Sequence, residues 1–250
     1  MPDALTYTAK DHVLHIRINR PEAMNTFNAD VVAGFREAWD RFNSDSDLRV
    51  GLLSAAGERA FSAGVDLKTP VSVPELASVL PGIGVEVRKP LVAAISGHCL
   101  GVGLVMALAC DLRIATPTAK FGYPEPKVGT TGGIASSLPR YLPRAIAMEM
   151  LFTGDSLDAE RAYQIGFINR LVDGSALEEE AFSLAARIAG NAPRVVGVLK
   201  ELVQMSDTPT PLETAAAAER LLAPLRGSAD EIEGRQAFLE KRKPVFTGKL

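Results

Sequence analysis

Short apolar runs recur along the first half of the chain, and a turn of small or polar residues follows each. Arg49–Ser54 (RVGLLS) precedes a turn at 55–59, and Leu91–Ile95 (LVAAI) precedes Ser96–Gly97. Runs this short, bounded by glycine and separated by helical patterns, are typical of buried strands in a parallel sheet. The sequence therefore predicts an α/β fold with mainly parallel strands and short connections.

Helices are predicted beside these strands. Asn28–Asp30 follows a strand predicted over Val13–Asn19 and begins a helix with Phe35 and Trp39 at helical spacing. Further helical patterns dominate the chain from about Ile134 onward. They cover Leu157–Tyr163 (with Ser156 or Asp158 as the cap), Ala176–Ala189, Val195–Met205, Leu212–Leu225 and Asp230–Lys241. We expect residues 1–190 to form the α/β core and residues 191–250 a helical C-terminal region.

Composition excludes several classes of protein. The 250 residues are 47% hydrophobic, which supports a large core. A net charge of −3 and a pI of about 5.7 argue against a nucleic-acid partner. Cys99 and Cys110 alone give neither a disulfide framework nor a metal-ligand spacing. The N-terminus lacks a signal-peptide pattern, and the apolar-rich segment Leu100–Ala109 is too short to span a membrane. We therefore expect a cytoplasmic protein without a membrane partner.

Two small-residue turns and one glutamate form the candidate chemical set. The turns are Phe61–Leu67 (FSAGVDL) and Ser96–Gly103 (SGHCLGVG), and each can leave backbone N–H groups free to face a ligand. Glu125 lies between two prolines, which predicts a fixed, extended loop. Two N–H donors and one carboxylate are the minimum equipment for forming and protonating an enolate.

These motifs resemble those of the enoyl-CoA hydratase/isomerase (crotonase) superfamily, from about residue 5 to residue 250. The matching segments, in order, are Asn19–Asn25 (NRPEAMN), Phe61–Leu67, Gly101–Gly103 (GVG), Cys110–Asp111 (CD), Phe121–Glu125 (FGYPE), Leu151–Gly154 (LFTG) and Ala237–Arg242 (AFLEKR). The resemblance implies a spiral of ββα units followed by a helical C-terminal trimerisation region. It also implies a homotrimer or a dimer of trimers, and an acyl-CoA thioester as substrate. No metal or redox cofactor is implied, because coenzyme A arrives with the substrate.

The resemblance also implies roles for individual residues. The backbone N–H groups of Val65 and Val102 would hold the thioester oxygen, and Glu125 would be the catalytic carboxyl group. Lys68 and Lys241 match places where family members contact the coenzyme A phosphates. The full set of substrate-binding positions is Ala23, Ala63, Gly64, Asp66, Leu67, Lys68, His98, Gly101, Tyr123 and Lys241. Structural roles remain open for three of them: ordering the turn for Asp66, and packing for His98 and Tyr123.

The chain departs from the family hydratases at Val105. Those enzymes carry a second glutamate at this position, and valine cannot activate water. Moving one proton between C2 and C4 of an enoyl chain needs only one base. The sequence therefore favours Δ3,Δ2-enoyl-CoA isomerisation with Glu125 as the single base.

Three alternatives remain open at this stage. The first is a hydratase that has found a substitute for the missing acid. The second is a crotonase-fold hydrolase assisted by His98 or Asp155, and the third is a non-catalytic subunit that binds acyl-CoA. The acyl pocket is expected to be shaped by the proline-rich segment Val71–Val87, which we expect to hold one short helix.

Overall fold

The computed structural model describes residues 3–206, 226–242 and 244–245. Strands in this part of the chain are β1 (Leu5–Lys10), β2 (Val13–Ile18), β3 (Val50–Ala55), β4 (Ala60–Ser62), β5 (Leu91–Ile95), β6 (His98–Leu100), β7 (Leu112–Ala115), β8 (Lys120–Gly122), β9 (Leu157–Asp158) and β10 (Arg170–Leu171). They form a six-stranded sheet in the order β1-β2-β3-β5-β7-β10 and a four-stranded sheet in the order β4-β6-β8-β9.

Helices surround these sheets. The α-helices are α1 (Ala29–Ser44), α2 (Val73–Ala77), α3 (Val102–Ala109), α4 (Arg144–Thr153), α5 (Ala159–Gln164), α6 (Leu177–Ala189), α7 (Pro193–Ser206) and α8 (Ala229–Glu240). Short 3₁₀ helices lie at Pro21–Ala23, Glu125–Val128, Ile134–Arg140 and Gly174–Ala176. Within the described residues no helix is both long and apolar enough to cross a membrane.

Most neighbouring strands run parallel, as the sequence predicts. β2, β3, β5, β7 and β10 pair in parallel within the large sheet, and β4, β6 and β8 do so within the small one. Only two described strand pairs are antiparallel, β1 with β2 and β8 with β9. The prediction of a mainly parallel α/β core is therefore confirmed.

Helix α1 covers one face of the large sheet. Asn28 caps its start by accepting a hydrogen bond of 3.0 Å from the Val31 N–H. Phe35, Trp39 and other apolar side chains on its inner face are fully buried, each contributing roughly 1.5–3 kcal/mol. The indole N–H of Trp39 donates to the carbonyl of Val79 at 2.8 Å. This bond ties α1 to the segment that includes α2.

Two predicted boundaries were wrong. The stretch Ser96–Gly103 is not one continuous turn, because His98–Leu100 pairs with β4 and β8 and starts the second sheet. Leu157 and Asp158 are not helical, because they pair with β8 as the edge strand β9. Helix α5 therefore begins only at Ala159.

The C-terminal helices attach to the core through specific contacts. The Nζ of Lys200 on α7 donates to the Asp111 carboxylate at 2.9 Å and to the Lys89 carbonyl at 3.0 Å. This ammonium is buried, so both bonds matter for holding the helix in place. The helix predicted over Leu212–Leu225 lies outside the described residues, and the division of the chain at residue 190 stays a prediction.

Candidate active site

The first small-residue turn leaves the backbone N–H group of Val65 free. Phe27 forms a parallel bridge with Val65, in which the Phe27 N–H donates to the Gly64 carbonyl and the Asp66 N–H donates to the Phe27 carbonyl, both at 2.9 Å. In such a bridge the central residue's own N–H points to the opposite side. The Val65 N–H accordingly has no acceptor among the described residues.

The second turn offers a similar donor at the start of α3. Gly101 has φ 56° and ψ −124°, a conformation open essentially to glycine alone. Its N–H donates to the Gly122 carbonyl at 3.0 Å, and the helix then begins at Val102. The first N–H groups of a helix have no acceptor within it. For Val102 the rest of the described chain supplies none either.

The two turns lie against each other because glycines allow close contact. A Cβ on Gly103 would lie 2.7 Å from the Ser62 Cβ, so the first turn of α3 packs directly on the end of β4. A Cβ on Gly101 would lie 3.5 Å from the Gly64 Cα. These contacts bring the two free donors to one place.

Glu125 lies at the same site as the two free N–H donors. Its Oε1 lies 2.7 Å from the position that a Cβ on Gly101 would occupy, and its buried Oε2 has no hydrogen-bond partner in the described chain. Burial raises the pKa of Glu125 to about 7, partly offset by a hydrogen bond from its own backbone N–H. A carboxyl group with this pKa can both accept and donate a proton near neutral pH.

The backbone around Glu125 is helical, so the predicted extended loop is a further correction. Glu125–Val128 forms a 3₁₀ helix with Pro126 in its first turn, where the missing N–H of proline has no cost. The Gly129 N–H is shared between the carbonyls of Glu125 and Pro126, and the Thr130 N–H donates to the Glu125 carbonyl at 3.2 Å. The turn is therefore closed on the backbone of Glu125 itself.

No second acid lies at the position that the sequence singles out. Val105 is buried in α3, with 3% of its surface exposed. No charged side chain of another described residue contributes to the raised pKa of Glu125. Within the described part of the chain, Glu125 is therefore not electrostatically coupled to a second acid.

The segment after β2 holds the first turn in place. Asn25 is almost fully buried, and its amide donates to the carbonyls of Ala56 at 2.9 Å and Ala60 at 2.7 Å. The Met24 carbonyl accepts from the Ala63 N–H at 3.0 Å. Buried amides with satisfied bonds fix the backbone around them, so this segment acts as a scaffold for the turn.

Asp66 is bonded on both carboxylate oxygens. Oδ2 accepts from the Arg20 guanidinium at 2.8 Å, and Oδ1 accepts from the Lys68 N–H at 3.0 Å. Burial would raise the pKa of Asp66, but the bonds from Arg20, Lys68 and Thr69 outweigh it and hold that pKa below its usual value. Arg20, which the sequence offered only as part of a motif, therefore orders the turn together with Asp66.

Tyr123 lies next to the acid and is buried. Its hydroxyl is 3.0 Å from the Thr131 Oγ1, which also accepts from the Gly133 N–H at 3.1 Å. Burial and the negative charge of Glu125 raise the pKa of Tyr123, so its hydroxyl stays protonated. Sequence reasoning missed Thr131, because a threonine in a glycine-rich loop carries no signal of its own.

The remaining predicted residues are placed as follows, and their roles in substrate binding stay predictions. Ala23 ends a 3₁₀ helix, while Leu67 and Lys68 follow the first turn at the surface. Lys241 is exposed at the C-terminal end of α8. His98 is also exposed, and its side chain makes no hydrogen bond within the described residues.

His98 and Asp155, the residues named for the hydrolase alternative, make no hydrogen bond with Glu125 in the described chain. Asp155 is exposed, and it pairs with Lys127 at 2.6 Å rather than with His98 or Glu125. The bond to Lys127 lowers the pKa of Asp155. This arrangement gives no support to the hydrolase alternative.

Known proteins resemble this chain over nearly its whole length. A family model described as enoyl-CoA hydratase/isomerase matches residues 8–249. The chain is 40% identical to (E)-benzylidenesuccinyl-CoA hydratase from Thauera aromatica, covering 98% of this chain and 99% of that protein. It is 36% identical to carnitinyl-CoA dehydratase from Citrobacter koseri, covering 100% of both. The crystal structure of carnitinyl-CoA hydratase from Mycobacterium avium matches with a TM-score of 0.91 at 32% identity, again over 100% of both chains.

Proposed function

The chain belongs to the enoyl-CoA hydratase/isomerase family, and we propose that it moves a double bond in a 3-enoyl-CoA by means of one carboxyl group. The fold is crotonase-like, as the sequence predicts. The observation that supports this reaction is the isolation of Glu125, which is buried, carries a raised pKa and has valine at the position of a second acid.

The two free N–H groups supply the electrostatic part of the mechanism. The thioester oxygen binds between the N–H groups of Val65 and Val102, where negative charge develops when the neighbouring carbon loses a proton. Donors held in place in this way can each stabilise such a transition state by ~3–4 kcal/mol. Because both donors are backbone groups, the valine side chains do not interfere with this role.

Glu125 carries the proton. Its ionised form removes a proton from C2 of the 3-enoyl thioester, and the electrons of that C–H bond form a dienolate. The protonated Glu125 then returns the proton to C4, which leaves the double bond between C2 and C3 and regenerates the carboxylate. A pKa of about 7 suits both steps, because the ionised and the protonated forms of Glu125 are then both well populated near neutral pH.

Hydration is the second candidate, and the names of the relatives favour it. The relatives from Thauera aromatica and Citrobacter koseri are named as a hydratase and a dehydratase. In that reaction Glu125 alone would take a proton from water while the water oxygen bonds to C3, and would deliver a proton to C2.

One assay separates the two reactions. The protein is incubated in water with a 3-enoyl-CoA and, separately, with a 2-enoyl-CoA, and the products are identified by chromatography and mass. Isomerisation predicts a product of unchanged mass from the 3-enoyl-CoA, while hydration predicts a gain of one water from the 2-enoyl-CoA. A hydration rate above the isomerisation rate would overturn the isomerase proposal.

The role of Glu125 is tested in the same assay. Glu125→Gln is expected to lower kcat by ~10²–10⁴-fold, because the amide cannot carry the proton. Glu179→Gln is the matched control, since Glu179 is an exposed acid on α6. Full activity in Glu125→Gln would overturn the assignment of the base.

Coenzyme A binding and assembly complete the proposal. We propose that Lys68 and Lys241 contact the coenzyme A phosphates and that the reaction needs no further cofactor, because moving a proton changes no oxidation state. We propose a homotrimer or a dimer of trimers, as the family resemblance implies, and an apolar stripe exposed on α7 supports association. The residues of this stripe are Val195, Val198, Leu199, Leu202 and Val203.

A further inference from the structure

Helix α8 touches the backbone of the 3₁₀ helix that carries Glu125. A Cβ on Gly234 would lie 1.9 Å from the Val128 carbonyl oxygen and 2.8 Å from the Gly129 nitrogen. Side chains cannot occupy positions this close to backbone atoms. The two backbones therefore meet at Gly234, and only glycine fits there.

The composition of α8 agrees with this contact. Gly234 and Ala237 are buried, whereas Ile232, Phe238 and Leu239 are exposed. Glycine inside a helix is less favourable than alanine, so a glycine in this place needs a structural reason. The close approach to Val128 supplies it.

A hydrogen bond connects this contact to the backbone of Glu125. The Gly129 nitrogen lies 2.8 Å from the position of a Cβ on Gly234, and its N–H is shared between the carbonyl of Pro126, at 3.4 Å, and the carbonyl of Glu125. The adjacent Thr130 N–H donates to the same carbonyl at 3.2 Å. A displacement at Gly129 is therefore passed directly to the backbone of Glu125.

We propose that Gly234 is a positioning residue for Glu125, through which the C-terminal helix α8 fixes the acid against Gly101 and the two free N–H groups. This inference rests on the proposed role of Glu125 as the proton carrier. It gives α8 a part in the reaction through its contact with the backbone of Val128 and Gly129.

Gly234→Ala tests the inference. The added methyl group must move Val128 and Gly129 by about an ångström, and a misplacement of that size lowers kcat by roughly 10–100-fold. We expect KM to change by less than about threefold, because the oxyanion turns are untouched. The pH midpoint of kcat should also fall below the wild-type midpoint, since a displaced Glu125 becomes accessible to water.

A matched control is available in α7. Gly197 also lies within a C-terminal helix, but a Cβ there would meet nothing within 4 Å. Gly197→Ala is expected to leave kcat, KM and the pH midpoint unchanged. If Gly234→Ala behaves like Gly197→Ala, the positioning role is overturned.

A second readout does not depend on activity. The titration of the Glu125 carboxyl carbon, labelled with ¹³C and assigned by its absence in Glu125→Gln, is followed in the wild type and in Gly234→Ala. A lowered midpoint in Gly234→Ala supports the inference even if neither proposed reaction is found. An unchanged midpoint overturns it, whatever the activity of the wild type.

A milder variant covers the case in which Gly234→Ala does not fold, as judged by circular dichroism. Ser228 caps α8 by accepting from the Glu231 N–H at 3.2 Å. Ser228→Ala loosens the start of the helix without adding an atom at the contact. It should shift the carboxyl titration in the same direction by a smaller amount, and no shift would overturn the inference.

Discussion

Asp66 lies within the first small-residue turn and Glu125 lies against the second, yet their surroundings shift the pKa values of the two carboxyl groups in opposite directions. Asp66 accepts bonds on both oxygens, from Arg20 and from the backbone, and its pKa is lowered. Glu125 has one oxygen that is buried and without a partner, and its pKa is raised to about 7. Glu125 is the more deeply buried of the two, so burial and hydrogen-bond partners both contribute to the difference.

The comparison separates a structural acid from a reactive one. A carboxylate whose bonds are all made resists protonation, because each bond favours the charged form. In a buried carboxyl group that lacks hydrogen-bond partners, burial destabilises the charged form, so the pKa is raised. Where two acids lie near one site, the one lacking partners is the candidate for proton transfer.

The largest effect is expected from Gly101→Ala compared with Gly64→Ala. A Cβ on Gly101 would collide with Glu125 at 2.7 Å, whereas a Cβ on Gly64 would lie 3.6 Å from the Leu100 carbonyl oxygen. Both variants strain a turn that holds a free N–H, so kcat should fall in both, by ~10²–10³-fold in Gly101→Ala. Only Gly101→Ala should also shift the pH midpoint of kcat. An equal shift in Gly64→Ala would show that the two turns are not distinct in this respect.

The next effect concerns stability in Glu125→Gln. The folded pKa of about 7 lies above the unfolded value, so burial of the protonated group favours folding at low pH and this advantage is lost as the pH rises through 7. The loss amounts to about 3 kcal/mol. Glutamine stays neutral, so the variant should be more stable than the wild type at pH 8 by about that amount and equal to it at pH 4. Urea unfolding at several pH values measures the difference in the free energy of unfolding between the two proteins. A difference that is the same at pH 4 and pH 8 would contradict the prediction.

Asp66→Asn should show the opposite dependence on pH and a smaller effect. Its lowered pKa contributes stability above the unfolded value, and this contribution is lost as the pH falls. The variant should be less stable than the wild type by ~2 kcal/mol at pH 7, because a charged hydrogen bond to Arg20 is lost. The difference should begin to shrink only below the unfolded pKa of about 4 and should vanish as the pH falls through the lower folded pKa. Asp40→Asn, at an exposed position on α1, is the control and should unfold like the wild type at both pH values.

The sequence predicts several long elements of this fold well and most short ones poorly, although it missed the six-residue strand β1. Strands β2, β3 and β5 and helix α1 have clear patterns of apolar residues, and the structure places them within one or two residues of the prediction. Strands β6 and β9 were missed because runs of two or three residues carry no periodicity. They exist because β8 lies between them and pairs with both.

The same limit holds for the site. The two turns and Glu125 could be proposed from small residues, prolines and family resemblance. The meeting of Gly101 with Glu125 could not, because it depends on the packing of α3 against β4. Nor could the contact at Gly234, which joins residues more than a hundred positions apart and leaves only a glycine within a helix as its signal.

Trp39 is an intrinsic fluorescent probe of this protein. It is the single tryptophan of the chain, it is buried, and its indole N–H holds the Val79 carbonyl in the segment expected to shape the acyl pocket. Its fluorescence therefore has one source and one hydrogen-bond partner. Any rearrangement of that segment on ligand binding changes the surroundings of a lone chromophore, so the emission spectrum reports on the pocket without an added label.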